Sequence, residues 1–232
     1  MTLSTSGYQD LAGYKAQIAD FYSIVRQSVL PNDETWSNCC EARHSLLSIH
    51  PSSAFVAAGM SPAPFWNYDP QWRTSGRIVE SDVEDLTVSD DQDVTRSFIG
   101  VGNIEFKLKE KLCRLPIYWA DSYGGGWLLP FRDDTNGSLT YGSGRYLLDG
   151  AKGADLGTTD SDELVVDFNY SFHPSCVWGT WLCPLPDSKA TLPMEVTAGE
   201  SKHEKNEERH GYRCERFNCN AFVVDGELHD CC

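Results

Sequence analysis

The chain has 232 residues, and a folded chain of about this size hides roughly 70 % of the surface that it exposes when unfolded. Hydrophobic residues make up 41 % of it, with 10 Phe, 10 Tyr and 7 Trp, which excludes intrinsic disorder. The formal net charge is −15 at pH 7, and because such a surface repels phosphate backbones and anionic lipid, we expect neither nucleic acid nor membrane as a partner.

Two helices are predicted in the N-terminal part of the chain. Over residues 10–30, apolar residues recur at steps of three or four and form a single stripe. A second helix is predicted over residues 33–49, with Asp33 as a candidate N-cap and Pro51 just beyond its end. We expect these helices to form a packing layer or a lid over the rest of the domain.

From about residue 76 the pattern changes to short alternating or apolar runs, separated by Gly, Asp, Asn and Pro clusters. In the most regular run we expect Ile104, Phe106 and Leu108 to face inward. Asn136-Gly137 lies between two runs and predicts a hairpin turn. Strands at this spacing, without helices between them, favour a mainly β (α+β) fold: an antiparallel β-barrel or sandwich with the two N-terminal helices packed at one end.

Two charged runs interrupt this pattern. Residues 80–93 hold seven acidic residues and no basic one, and they lack the alternating carboxylates and the Gly of a calcium loop, so we expect a solvated loop or hairpin. Residues 200–209 are almost entirely charged and predict a linker or a solvated helix. The expected organisation is one β-rich domain over residues 1–200, followed by a charged linker and a Cys-rich tail over residues 201–232.

The cysteines give little evidence of a metal site. Their number, nine, is odd, which favours reduced thiols, or local disulfides in an oxidising compartment. The tail cysteines have a spacing that is not that of a zinc finger or zinc ribbon, and zinc there is the weaker alternative. These four residues are Cys214, Cys219, Cys231 and Cys232.

The N-terminal residues do not predict targeting to the secretory pathway. A secretory signal has a basic patch followed by an apolar stretch, which the first residues lack. A membrane-spanning helix needs about 18 or more consecutive apolar residues, and the sequence has no such run. We therefore expect a cytoplasmic protein.

Functional side chains are concentrated among glycines in residues 120–157 and 167–186. The triplet at residues 124–126 permits positive φ and a close approach by a ligand, although a tight turn or a bulge explains it equally well. A dinucleotide-binding GxGxxG, a GxSxG nucleophile elbow, an HExxH zinc motif and a P-loop are all missing from the sequence. We therefore expect none of those chemistries and no cofactor.

Several motifs resemble a known family. The runs YGGGWLLPFRD, TYGSGRYLLDGAKGADLG, LVVDFNYSFHPSC and CPLP are similar to the hallmark motifs of the domain of unknown function 1684 family, whose members are mostly bacterial and archaeal. Upstream, RHSLLSIHPSSAF is similar to that family's helix-ending segment. The resemblance covers roughly residues 14–200. Because the activity of the family is not established, the resemblance implies no reaction.

The chain departs from that family at two places. The family usually has Asn where this chain has His173, and Pro-Pro-Glu-Asn-Arg where this chain has Asp187, Ser188, Lys189, Ala190 and Thr191. If the task of the family depends on that cluster, this member has changed it. A specialised descendant with its own substrate would fit, and so would a binding protein derived from an enzyme.

Charged residues inside the predicted strands are candidates for a site. Arg132 with Asp133, and Arg145 with Asp149 or Asp167, offer paired charges in otherwise apolar runs. A buried charge is costly unless it is paired, so each pair is either a structural salt bridge or a clamp for a ligand. The planar guanidinium of Arg is suited to carboxylate and carbonyl oxygens.

His173 is the strongest candidate for chemistry. An imidazole titrates near neutral pH and can transfer a proton, with Asp167 or Asp149 as the predicted orienting carboxylate. Cys176 and Cys183 follow closely, so His173 with these two cysteines predicts a metal site, or Cys176 a nucleophile that His173 activates. Local packing of all three residues is the remaining explanation.

Three functional hypotheses follow. The first is a cofactor-independent, non-redox enzyme that performs acid/base chemistry (isomerisation, cyclisation, elimination or hydrolysis) on a small organic molecule in a β-barrel pocket, with His173, Asp167 and Arg145 as catalytic residues. The second is a binding module with the same pocket and no turnover, and the third is a metal- or thiol-dependent protein. The predicted substrate-binding residues are Tyr123, Trp127, Arg132, Tyr141, Tyr146 and Asn169. The oligomeric state is left open.

Overall fold

The computed structural model describes residues 4–28, 33–89, 95–179, 182–202, 223–224 and 227–228. Three helices are seen in these residues: α1 (Thr5–Gln27), α2 (Asp33–Ile49) and α3 (Ala54–Ala58). The main strands are β1 (Arg73–Val79), β2 (Leu86–Ser89), β3 (Thr95–Leu108), β4 (Lys111–Ala120), β5 (Trp127–Phe131), β6 (Arg145–Asp149) and β7 (Leu164–Asp167). A separate pair, β8 (Val223–Val224) and β9 (Glu227–Leu228), is antiparallel.

The helices begin and end where capping groups allow. The second predicted helix has the expected bounds, whereas α1 begins five residues earlier than expected because the Ser4 side chain accepts the Gly7 N–H at 3.1 Å. The short helix α3 was not predicted. It is set by the Ser53 hydroxyl, which caps its N-terminus, and by Gly59, which ends it in the left-handed conformation.

The strands β1 to β7 form one antiparallel sheet that curls into a half-barrel. Its order is β6-β5-β4-β3-β1-β7, with β2 pairing to β3. The expected fold class is confirmed. The predicted alternation in β3 is confirmed as well, since Ile104, Phe106 and Leu108 are buried while Lys107 is exposed.

The two edges of the curled sheet are joined by the chain that follows β7. Phe172 pairs with Tyr146 of β6 as an antiparallel bridge, with backbone hydrogen bonds of 2.8 and 3.0 Å. The backbone N–H of Glu200 then donates to the Ser171 carbonyl at 2.8 Å. The chain around Glu200 therefore lies beside the segment that closes the half-barrel.

The glycine triplet at 124–126 belongs to the turn between β4 and β5. A Cβ on Gly125 would lie 2.3 Å from the Trp119 indole nitrogen, and one on Gly126 would lie 2.5 Å from the backbone nitrogen of Ala151. Both glycines are thus required by close packing within the fold, which supports the turn explanation. The predicted hairpin turn at Asn136-Gly137 is one part of a longer connection, residues 132–144, between β5 and β6.

Most of the predicted tail lies outside the described residues, including the charged run after residue 202 and the cysteines at 214, 219, 231 and 232. The described part of the acidic run contains β2 and an exposed ion pair between Glu84 and Lys189, 3.1 Å apart. Within the described part of the chain, none of the helices has the length and apolar character needed to cross a membrane.

Candidate functional site

A small cavity lies where α1, α2 and α3 meet the closed edge of the half-barrel. Its volume is about 60 Å³, which gives room for a few water-sized groups. We call it the helix–barrel cavity. The side chains with polar groups that line it include those of Tyr14, Arg43, Tyr146, Lys152, His173 and Trp178.

Three charged or titratable side chains meet beside this cavity and form what we call the buried triad: Arg43, Glu200 and His173. Arg43 Nη2 lies 2.8 Å from Glu200 Oε1. The other carboxylate oxygen accepts the backbone N–H of His173 at 2.8 Å and lies 3.3 Å from His173 Nδ1. The side chains of Arg43, Glu200 and His173 are 10 %, 1 % and 0 % exposed, so the triad is shielded from bulk water.

Each triad residue is positioned by a different part of the fold. Arg43 comes from α2, with its guanidinium over the Phe172 ring, and His173 directly follows the Phe172 bridge. Glu200 is held by its own N–H bond to Ser171 and by a bridge to Phe65. The backbone approaches so closely here that a Cβ at residue 199 would lie 2.1 Å from the Ser171 hydroxyl, which explains Gly199 with its φ of 77°.

The pKa values of the triad keep Glu200 ionised and His173 neutral. Burial by itself would raise the pKa of Glu200, but the Arg43 charge and the hydrogen bonding to His173 outweigh it and lower this pKa to about 2. Burial lowers the pKa of His173 below its usual value; Glu200 opposes that shift, while Arg145 and Arg43 add to it. At neutral pH the imidazole is therefore uncharged and has one nitrogen able to accept a proton.

Four nitrogen atoms on three side chains of the cavity lack hydrogen-bond partners among the described residues: Arg43 Nε, His173 Nδ1 and Nε2, and Trp178 Nε1. All three side chains line the cavity and are almost fully buried. A buried donor without a partner costs about 1–3 kcal/mol. A bound molecule that carries acceptor oxygens would relieve that cost.

Aromatic rings enclose the imidazole and the guanidinium. Tyr141 meets His173 edge-on with ring centroids 4.8 Å apart, and it meets Trp178 in the same way at 5.0 Å. The guanidinium carbon of Arg43 lies 5.0 Å above the centre of the Phe172 ring. These rings shield the triad from water and give the cavity an apolar wall.

Arg145 lies behind the triad and holds the segment that carries Glu200. Its Nη2 donates to Asp133 and to the Val196 carbonyl, each at 2.8 Å, and its Nη1 donates to the Ala198 carbonyl at 2.5 Å. The prediction that Arg145 pairs with Asp149 or Asp167 is therefore wrong, and so is the prediction that Arg132 pairs with Asp133. The actual partners come from distant parts of the chain: the Asp133 carboxylate lies in the loop after β5, and the carbonyls lie at residues 196 and 198. Only the tertiary structure brings them to the Arg145 guanidinium.

The predicted carboxylates beside His173 have other partners. Asp167 Oδ2 lies 3.0 Å from Arg73 Nη1, and its other oxygen accepts the Asn169 N–H at 3.1 Å. Asp149 lies 2.9 Å from Lys152 Nζ. The carboxylate that contacts His173 is Glu200, which corrects the predicted assignment to Asp167 or Asp149.

The predicted substrate-binding residues separate into two groups. Tyr146 lines the cavity, where its hydroxyl donates to the Pro184 carbonyl at 2.7 Å, and Tyr141 contacts His173. The remaining residues lie elsewhere. Tyr123 is fully exposed in the β4–β5 turn, Trp127 packs on Trp119, Arg132 bonds the Ala190 carbonyl through its backbone, and the Asn169 amide donates to the Asp69 carbonyl at 2.9 Å.

Cys183 is buried and Cys176 is half-buried, and the interaction with Cys176 lowers the pKa of the Cys183 thiol to about 7. Among the described residues, however, no three His, Cys, Asp or Glu side chains come together in an arrangement that could hold a metal ion. The predicted metal site of His173, Cys176 and Cys183 is therefore not assembled in this part of the chain.

Arg43 and Glu200 are the residues of the buried triad that the sequence analysis does not single out. Arg43 lies off the apolar face of its helix, and Glu200 begins a run of charged residues, so neither has a local pattern that marks it as buried. Both fall inside segments that carry the family resemblance, which is the one signal that could have identified them.

Comparison with known proteins agrees with this fold. The family model described as Protein of unknown function (DUF1684) matches residues 60–201. The solution NMR structure of an uncharacterized protein from Haloarcula marismortui is similar to this chain, with 26 % identity and a TM-score of 0.54, and the match covers 74 % of this chain and 97 % of that one. No protein in the search of curated proteins matches.

Proposed function

This chain belongs to the DUF1684 family of proteins of unknown function, and we propose that it binds a small organic molecule carrying a carboxylate or carbonyl oxygen in the helix–barrel cavity and moves a proton on it. In this proposal His173 is the general base and Arg43 binds the oxygen. Isomerisation or elimination next to a carbonyl group is the reaction class that these parts suit best.

The observation that carries the proposal is the group of unpartnered nitrogens. Arg43 Nε and Trp178 Nε1 are donors, buried at one cavity, with no partner among the described residues. Two donors of this kind are complementary to the paired oxygens of a carboxylate or to a carbonyl oxygen that becomes an oxyanion. The cavity volume of about 60 Å³ limits the ligand to a small compound or to one end of a larger one.

The state of His173 supports the proton transfer. A general base must be neutral at the working pH, and burial lowers the pKa of His173. Glu200 stays ionised beside Nδ1 and favours the tautomer with its proton on that nitrogen, which leaves Nε2 as the acceptor. When His173 takes a proton from carbon, the negative charge of Glu200 stabilises the imidazolium and Arg43 stabilises the enolate oxygen.

Two of the three residues first predicted as catalytic have positioning roles in this proposal. Arg145 holds the 196–200 segment in place, and Asp167 fixes the end of β7 through Arg73. Neither touches the cavity.

The test uses small 2-oxo acids, pyruvate and 2-oxobutyrate, incubated with the full chain in D₂O and followed by ¹H NMR. We expect the proton signals next to the carbonyl to disappear faster with protein than with buffer, because His173 exchanges that proton with solvent. The matched variants are His173→Gln, which removes the base, and His44→Gln, which changes an exposed histidine on α2. Equal exchange rates for the wild type and for a folded His173→Gln variant would contradict the proposed role.

The non-catalytic binding module is distinguished in the same samples. Calorimetric binding of these acids that depends on Arg43, without any exchange at carbon, would favour a binding protein over an enzyme. Arg43→Met is the variant for that comparison, since it removes the Nε donor and the charge and keeps an unbranched side chain.

A further inference from the structure

A second and larger cavity lies between α1 and α2, and we call it the interhelical groove. Its volume is about 250 Å³, against about 60 Å³ for the helix–barrel cavity. Its floor consists of buried apolar side chains and its rim of exposed residues. The floor residues are Ile18, Phe21, Cys39 and Leu46, and the rim residues are Gln17, Asp20, Ile24, Asn38 and Ala42. Ile24 is 56 % exposed, so an apolar side chain at this rim is left largely uncovered.

The groove follows from the residues that the two helices turn toward each other. The lining residues of each helix recur at steps of three or four and so form one stripe, over residues 17–24 of α1 and residues 38–46 of α2. The middle of the α2 stripe carries the short side chains of Cys39 and Ala42. Because short side chains do not reach across a helix–helix contact, they leave space there unless the helices move closer together. The groove is that space.

The groove and the helix–barrel cavity share two wall residues, Ile18 and Arg43. Arg43 extends its guanidinium to Glu200, at 2.8 Å, and its Nε is buried without a partner in the described part of the chain. Ile18 is 6 % exposed and is the apolar part of this shared wall. The groove therefore begins at the residue that binds oxygen in the proposed function.

The volumes of the two spaces suit different parts of one molecule. A water molecule occupies about 30 Å³ in the liquid, so the helix–barrel cavity has room for about two groups of that size and the groove for about eight. An oxygen-bearing head group of a few atoms fits the smaller space. A hydrocarbon chain fits the larger one, where its burial removes apolar surface from water.

The charges at the groove favour a chain that has no second charged end. Asp20 is an acidic residue of the rim, and Gln17 and Asn38 are neutral. Among the described residues that line the groove, Arg43 is the only cation, and its charge is directed to Glu200. A carboxylate at the far end of the chain would therefore meet a like charge without a counter-charge.

We propose that the ligand of this protein is an aliphatic 2-oxo acid of about six to ten carbons, with a length set by the volume of the groove. Its head group binds at Arg43 in the helix–barrel cavity, and its hydrocarbon chain passes Ile18 and occupies the interhelical groove. The inference rests on the proposed function, because it uses the same head-group site. It adds the substrate class and the second half of the site.

The experiment is titration calorimetry of the full chain with a series of straight-chain 2-oxo acids, from 2-oxobutyrate through 2-oxohexanoate to 2-oxooctanoate. We expect Kd to fall about two- to fourfold for each added methylene, and the larger factor corresponds to the 0.8 kcal/mol of a fully buried CH₂. Octan-1-ol has the chain without the acidic head group and cannot pair with Arg43, so we expect it to bind roughly tenfold more weakly than 2-oxooctanoate.

Variants at the rim test the groove itself. Ala42→Trp fills the groove from an exposed position on α2, and Ala16→Trp makes the same change at an exposed position of α1 that does not line it. We expect Ala42→Trp to lose most of the gain in affinity between 2-oxobutyrate and 2-oxooctanoate, and Ala16→Trp to keep that gain. Ile24→Asp gives a second test at a position that is already exposed. Its carboxylate should weaken the binding of 2-oxooctanoate more than that of 2-oxobutyrate.

The groove and the proposed function fail by different results. Suppose that 2-oxobutyrate exchanges its protons in a manner that depends on His173, but Kd is the same for every chain length or folded Ala42→Trp keeps the full gain. The groove inference is then overturned, and the proposed function is unaffected. If 2-oxooctanoate and octan-1-ol bind equally well and Arg43→Met changes neither, or if none of these acids binds, the head-group site is wrong and both proposals are overturned.

Discussion

His173 is surrounded by groups from several separate elements. Glu200 faces Nδ1, the positive charges of Arg43 and Arg145 lie nearby, and the rings of Tyr141 and Trp178 pack against the imidazole. Burial and the two arginines favour the neutral form, and Glu200 alone favours the charged form. The net lowering of the pKa therefore reports the whole environment of the residue.

This environment predicts how stability changes with pH. A group whose pKa is lower in the folded state than in the unfolded state stabilises the fold above its unfolded pKa, and that contribution is lost as the pH falls. For His173 the loss begins as the pH falls through its usual value of 6.5. We expect the wild type to lose more free energy of unfolding than His173→Gln between pH 7.5 and pH 5.5, by up to about 1.4 kcal/mol per pH unit.

Urea denaturation at four or five pH values in this range measures that difference. His44→Gln is the matched control, because His44 is exposed and its removal should leave the pH slope unchanged. A wild-type slope equal to that of His173→Gln would mean that the imidazole titrates normally in the folded protein. Glu200 adds a second loss of stability only below about pH 4.5, as the pH falls toward its lowered pKa of about 2.

At the level of elements, the turn between β4 and β5 depends on close backbone packing. Gly126 has a φ of 148°, and its α-carbon faces the backbone of Gly150 and Ala151, the start of the short 3₁₀ segment after β6. Gly124 also has a positive φ, of 90°, but a Cβ there would meet nothing within 4 Å. Alanine substitutions at these two glycines therefore distinguish the cost of a steric clash from the cost of a positive φ alone.

We predict that Gly126→Ala lowers the free energy of unfolding by about 3 kcal/mol, because the new Cβ adds a backbone clash to the strain of the positive φ. Gly124→Ala is the control and should cost about 1 kcal/mol, the strain alone. Chemical denaturation of both variants measures the difference. Equal costs would show that the turn moves freely away from residues 150–152, contrary to the packing seen here.

At the scale of the whole molecule, the half-barrel is completed by a segment distant in sequence. Residues 196–200 lie against β6 because the buried guanidinium of Arg145 binds three of their carbonyl groups, at Val196, Ala198 and Glu200. The same guanidinium pairs with Asp133. One side chain therefore joins β6, the loop after β5 and residues 196–200. The position of the Glu200 carboxylate depends on this junction.

Arg145→Met is expected to destabilise the protein by roughly 3–5 kcal/mol, because it leaves Asp133 buried without its counter-charge. It should also increase amide hydrogen exchange in residues 196–201, measured by mass spectrometry, as that segment loses its anchor. Arg114→Met is the control: Arg114 pairs with Glu105 on the exposed face of the sheet, and its loss should cost less than 1 kcal/mol. Unchanged exchange in residues 196–201 would contradict the anchoring role.

The amino-acid sequence by itself determined the local structure of this protein. The period of apolar residues predicts α2 and the inward face of β3, because a helix or strand buries one side of its own repeat. The sequence also predicts His173, Tyr141 and Tyr146 as members of a ligand site, since polar and aromatic side chains among glycines are typical of such sites.

The partners of those residues were decided only by the tertiary structure. Arg43 and Glu200 are 157 residues apart in sequence, and no local pattern relates them. Composition placed Glu200 in a solvated linker, whereas the return of residues 196–201 to the closed edge of the sheet buries it beside His173. Charge pairing is set by distance in space and by burial, and both arise only when the sheet curls and the helices pack over its edge.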